Sequence, residues 1–283
     1  MDKQPSAFFL LAREIRDLVY ETLLFSPLDS QQEQGQVGPG SCFGMMYSCR
    51  QCCVEVLQTI ERNRGVPFSL ELEITQGKSK RGSENIRQAW ILFPLITYSR
   101  YLLLTPGEGI ALEPATSSST VPGKCKCQSF HLSFKVQSGR AFQWWGCGGP
   151  ANLTSVLFQM LAKFLLRGPV GLNKSLPKSS DEGCMWDIDT LVVDVIGVGT
   201  TYTDPADGQL CTVPSQLVEH CGQSLGHYLD RVCCAGALAK RVRVVRLLVE
   251  GEVKQEWSID QGKSLPEDIR KEWAEYGWVI ERN

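Results

Sequence analysis

The stretch Phe8-Phe9-Leu10-Leu11-Ala12-Arg13-Glu14-Ile15-Arg16-Asp17-Leu18-Val19-Tyr20-Glu21-Thr22-Leu23-Leu24 decides how the rest of the chain is read. Phe8, Leu11, Ile15, Leu18, Val19, Thr22 and Leu23 recur at steps of three and four, the spacing of an apolar helix face. Arg13, Glu14, Arg16, Asp17 and Glu21 fall mostly on the opposite side. A second segment answers it, with Met46, Cys49, Cys53, Leu57 and Ile60 on one face and Arg50, Gln51 and Glu55 between them. Neither helix alone has anywhere to bury its stripe. Two or three such helices packed together would, which defines a helical head over residues 1–64.

Beyond the head the period changes. Phe68, Leu70, Leu72 and Ile74 alternate with Ser69, Glu71, Glu73 and Thr75, the pattern of a half-buried strand. Ser83, Ile86, Ala89, Trp90 and Phe93 suggest a short helix stopped by Pro94, and Tyr98 to Leu104 a further strand. Phe130, Leu132, Phe134 and Val136 form another alternating run. Leu153, Val156, Leu157, Met160, Leu161, Phe164 and Leu165 keep the helical period throughout. Ile188 to Ile196 is nearly continuous apolar sequence with acids at both ends, as in a strand covered on both faces. Leu217 to Val232 is amphipathic; Val242–Val249 and Val253–Ile259 read as a hairpin around Glu250-Gly251-Glu252; a last helix starts near Pro266-Glu267. No fixed-period repeat is visible, so a regular leucine-rich solenoid is not expected. The fold class is α+β: the helical head, then a mixed α/β body on one sheet over residues 65–283.

Two segments resemble the signature of a large, poorly characterised family of filamentous-fungal F-box-like proteins. Leu11 to Leu24 is similar to the family's Leu-Pro-x-Glu-Ile-Arg-x-x-Ile-Tyr-x-x-Leu-Leu, and Ser48-Cys49-Arg50-Gln51 to Leu57 to its Thr-Cys-Arg-Gln-x-x-x-Glu-x-Leu. Trp90 to Pro94, Gly168 to Gly171 and Asp187 to Leu191 look like later landmarks. The family's proline is Ala12 here, which leaves the helix start less defined, because Pro suits a first helical turn. The long polar loop over 26–42 is also unusual for an F-box. The resemblance implies a non-enzymatic adaptor. Its partner-binding residues would be Leu11, Ile15, Leu18, Val19 and Leu23. They would dock a Skp-family adaptor protein of a cullin ubiquitin ligase, while the body presents an unknown client protein. The alternative is a non-catalytic structural or regulatory interaction protein whose N-terminal helices pack on its own body.

Composition narrows the partners. At 283 residues, 43% hydrophobic, 21% charged and net charge −2, the chain can build a core but lacks the basic excess of a nucleic-acid surface. No run is long enough to span a bilayer, and Ala7 to Ala12 is too short for a signal-peptide core. The expected location is therefore cytoplasmic or nuclear, with no membrane partner. The twelve cysteines are expected as free thiols.

Five motifs touch on chemistry, and none is expected to be catalytic. Gly222-Gln223-Ser224-Leu225-Gly226 fits a nucleophile elbow, yet a helical period runs through it and the only later histidine is His227. Gly197-Val198-Gly199 follows a strand as a dinucleotide site would, but Tyr202 occupies the third glycine position. Gly146-Cys147-Gly148-Gly149, like Asp204 and Asp207, reads as turn sequence. Cys49-Arg50-Gln51-Cys52 has redox or half-zinc spacing but is expected inside a helix. Zinc there would need two ligands from Cys125, Cys127, Cys147, Cys184 or His131, so no metal is expected. Trp144-Trp145 serves either a partner or the core. No cofactor is implied.

Overall fold

A computed structural model describes residues 7–25, 49–76, 84–92, 125–136, 152–168, 172, 186–203 and 208–275. After a 3-10 turn at Ala7–Leu10, the head consists of α1 (Arg13–Phe25) and α2 (Arg50–Arg62). The body runs β1 (Val66–Gln76), β2 (Glu84–Leu92), β3 (Cys125–Val136), α3 (Asn152–Arg167), β4 (Trp186–Ile196), β5 (Thr201–Thr203), β6 (Leu210–Thr212), α4 (Ser215–Cys234), β7 (Val242–Val249), β8 (Glu252–Ser258) and α5 (Glu267–Glu275). It is a mixed α+β arrangement.

The main sheet has six strands in the order β2-β1-β3-β4-β7-β8. Its four central strands are parallel, and β2 and β8 pair antiparallel at the edges. The order of the parallel strands advances in one direction, so crossovers of one hand leave both crossover helices on the same face. The register shows this. Phe68, Phe130, Leu191 and Val245 form one cross-strand row, and Leu70, Leu132, Val193 and Leu247 another. Phe164 of α3 stacks on Phe130 at 3.8 Å and meets Phe68 edge-on at 5.5 Å. On α4, Gly222 lies against Val249 and Gly226 against Leu247 and Gln255. One continuous core joins these strands and both helices.

The other face carries Ser69, His131, Val192 and Arg246 in one row and Glu71, Ser133, Asp194 and Leu248 in the next. Most of these are half-buried, and Lys135 pairs with Glu71 at 3.9 Å. The expectation that Ile188–Ile196 is covered on both faces is therefore corrected. Its apolar alternation serves one layer of helices, and Val192 and Ile196 on the other side stay half-exposed. A second correction concerns Glu84–Leu92, which is strand β2 rather than a short helix. Pairing with β1 sets Gln88 and Trp90 opposite Leu72 and Leu70, on the helix-bearing face. The helical spacing of Ile86, Ala89 and Trp90 was fortuitous. A third is the separate β5–β6 hairpin, which makes the body more than one sheet.

The head enters the body through a tight turn. After α2, Arg64 N–H donates to Glu61 O and Gly65 N–H to Ile60 O, both at 2.9 Å. Gly65 has φ +119°, and a Cβ there would fall 2.7 Å from the Lys126 carbonyl oxygen, so this position requires glycine. Phe25 and Ile60 pack against both the small head cluster and the main core.

Candidate partner-binding face

The face that α1 buries is not the one its apolar spacing predicts. Arg16, Asp17, Tyr20 and Leu24 are buried, and α2 answers with Cys52, Glu55, Val56 and Thr59. The small core is Tyr20, Leu24 and Val56, with Phe8, Leu23, Cys53, Leu57 and Ile60 packed around it. Met46 lies outside the described residues. The helices are thus rotated so that a polar strip lies in the seam.

Hydrogen bonds make that strip tolerable. The Arg16 guanidinium meets Glu55 two-pronged, Nε to Oε2 at 2.9 Å and Nη2 to Oε1 at 2.7 Å. Its third nitrogen, Nη1, donates to the Leu11 carbonyl at 2.6 Å. The Tyr20 hydroxyl donates to Glu55 Oε2 at 2.9 Å and Gln51 Nε2 to Glu55 Oε1 at 3.0 Å. Arg13 and Arg62 flank Asp17 at 2.8 and 2.9 Å. Arg16 holds the Glu55 carboxyl down at about 2, against the opposing effect of burial, with help from Gln51, Tyr20 and Arg13. Burial pushes Asp17 upward, but the bonds from Arg13 and Arg62 outweigh it and its pKa is lowered. Burial, then the bond to Glu55, raises the Tyr20 phenol.

With the polar strip inside, the apolar stripe is left outside. Leu11 is 42% exposed, Ile15 47% and Leu18 58%, and Leu10 just before them 73%. Val19 and Leu23 are half-buried, Leu23 against the small cluster. Of the eight large apolar side chains exposed among the described residues, four fall between Leu10 and Leu18. Scattered exposed leucines need no explanation, whereas such a concentration, with Ile15 and Leu18 one turn apart on α1, is what a partner-binding surface presents.

The chemical motifs fall into structural roles. Gly222 and Gly226 sit inside α4 where it approaches β7 and β8 closely, so the elbow-like spacing serves helix-on-sheet packing. Gly197 and Val198 donate their N–H groups to Glu250 Oε1, each at 2.7 Å. A carboxylate from the β7–β8 turn thus takes the donors a phosphate would need. Glu250 (φ 53°) and Gly251 (φ 78°) form the two-residue turn. His131 Nε2 lies 3.8 Å from Asp194 Oδ2, and Gly251 N–H donates to Asp194 Oδ1 at 3.3 Å. A concavity of about 530 Å³ on α4 is lined by Ser215, Gln216, Glu219, His220 and Gln223, all exposed to solvent.

Among the described residues, no three His, Cys, Asp or Glu side chains converge as metal ligands. Cys127, Cys221 and Cys233 are buried, and burial pushes the Cys221 and Cys233 thiols up to about 12, which keeps them unreactive. Cys49 corrects an expectation. It is not inside a helix but is the N-cap of α2, with an extended backbone (φ −164°, ψ 162°) and its Sγ accepting the Cys52 N–H at 3.4 Å. Tyr98–Leu104, Trp144-Trp145, Gly146 to Gly149, Cys147, Cys184, Asp204 and Asp207 lie outside the described residues. Among the described residues no helix is long and apolar enough to cross a membrane.

Comparison with protein-family models, with curated proteins and with solved structures finds no match.

Proposed function

We propose that the chain is an F-box-like protein-interaction adaptor without catalytic activity. The surface formed by Leu11, just before α1, and by Ile15 and Leu18 of α1, bordered by Val19 and Leu23, docks a Skp-family adaptor protein, and the body presents a client protein to a cullin ubiquitin ligase. The observation that carries this reading is the inversion of α1. Its charged strip is consumed in the α1–α2 seam while its apolar stripe remains exposed. An apolar helix face left open supports docking against a partner of apolar surface.

A second reading has its own support. Phe25 and Ile60 tie the head to the main core, as in a self-contained interaction protein whose helices pack on their own body. Affinity purification of the tagged chain from a native extract separates the two. Docking predicts a Skp-family adaptor and a cullin in the eluate; a clean eluate containing neither favours the self-contained protein.

A further inference from the structure

We propose that Cys49 and Cys52 form a reversible disulfide at the start of α2, making the head sensitive to redox conditions. The N-cap and the third helical residue lie about one 5.4 Å turn apart. That is inside the range of roughly 4.4–6.8 Å between Cα atoms that a disulfide spans. The extended backbone of Cys49 turns its thiol over the first turn, where Sγ already lies 3.4 Å from the Cys52 nitrogen. Rotation of the two side chains, with no change of helix geometry, closes the remaining gap. Cys49 is half-buried and Cys52 only 3% exposed, so Cys49 is the thiol an oxidant reaches first and Cys52 the one that resolves the intermediate. Cys53, the third sulfur of the group, is held as a thiol by burial and then by the neighbouring Cys49 and Cys52.

A small disulfide such as oxidised glutathione supplies the oxidising equivalents. The Cys49 thiolate attacks one glutathione sulfur, forming a mixed disulfide and expelling one glutathione thiolate. The Cys52 thiolate then attacks the Cys49 sulfur, forming the Cys49–Cys52 bond and expelling the second. Two protein thiols are oxidised, one glutathione disulfide is reduced to two thiols, and the two protons pass to the leaving thiolates. Such intracellular disulfides are transient and serve sensing. Cys52 and Tyr20 are both buried in the α1–α2 seam, where the Tyr20 hydroxyl bonds Glu55, so turning the Cys52 sulfur towards Cys49 disturbs the packing of the seam.

The test equilibrates the full chain with oxidised and reduced glutathione, quenches with acid, and alkylates under denaturing conditions before mass analysis. The expected product has lost two hydrogen masses, with Cys49 and Cys52 protected and Cys53 alkylated. Cys49→Ser keeps a capping oxygen and should fold like the parent but form no such species. Cys52→Ser should stop at the mixed disulfide on Cys49. Oxidation should also speed amide exchange in Arg13–Phe25. Protection of any other cysteine pair, a parent that stops at the mixed disulfide, or unchanged exchange in the oxidised form would overturn the proposal.

Discussion

Arg16 and Glu55, 39 residues apart in the chain, meet in a two-pronged ion pair at 2.9 and 2.7 Å inside the seam between α1 and α2. The pair ties two separate stretches of sequence together. Arg16 and Tyr20 come from α1 and Gln51 from α2, and these three side chains converge on the Glu55 carboxylate. A buried pair is costly to break from one side, because the survivor keeps its charge without a partner. Glu55→Ala should therefore lower the melting temperature more than the double change Arg16→Met with Glu55→Met. Circular dichroism melts of the three proteins check the order, and equal melting would mean that the seam does not depend on this pair.

The same carboxylate sets an acid limit. The folded pKa of Glu55, about 2, lies below its ordinary 4.5, and Asp17 is lowered as well. Groups depressed in the folded state stabilise it fully above the unfolded value and lose that contribution as pH falls through the folded one. The head should thus weaken from about pH 4.5 down to about 2. Protection of the α1 amides, taken relative to their intrinsic exchange rate at each pH, should fall over that window, and Glu55→Gln should flatten the change. Protection independent of pH in this range would contradict the assignment.

How much of this was legible in the sequence depended on where the polar groups went. β1 and α3 were readable because their apolar residues follow one period and all face one core, as Leu70 and Leu157 do at 0% exposure. The buried face of α1 was not, because its charges find partners 39–45 residues away, and periodicity carries no information about pairing. The repeated Arg-x-x-x-Tyr and Gln-x-x-x-Glu spacings were the available signal, since each places two hydrogen-bonding groups on one helix side. Glu84–Leu92 was misread because Ile86 and Trp90 satisfy both a period of two and a period near four; only pairing with β1 decides.

Gly222 offers a test of the α4 packing. Alanine favours a helix by about 1 kcal/mol over glycine, yet a Cβ at Gly222 would collide with the branched side chain of Val249. Gly222→Ala should therefore destabilise the chain, by about 1–3 kcal/mol of overpacking. Ser224→Ala should leave stability unchanged, as suits a half-buried helical serine. Urea denaturation measures both; a stabilised Gly222→Ala protein would show that α4 sits farther from β7.

The stripe of α3 is core. Leu157 is 0% exposed, so Leu157→Ala should cost about 2–5 kcal/mol and Leu157→Asp considerably more. A Leu157→Asp protein with the parent's urea midpoint would contradict the packing of α3 on the sheet.

The central claim is that the outward stripe of α1 is a docking face. Ile15 and Leu18 are 47% and 58% exposed and take no part in the seam, so Ile15→Asp with Leu18→Asp should leave the melting temperature near the parent's. The direct measurement is binding of the purified chain to an immobilised Skp-family adaptor, parent beside double variant, with a melt of each. The account predicts a parent that binds and a folded double variant at least about tenfold weaker, a loss of about 1.4 kcal/mol. A folded parent that captures no adaptor, or a double variant that unfolds because the stripe lies on its own body, would contradict it.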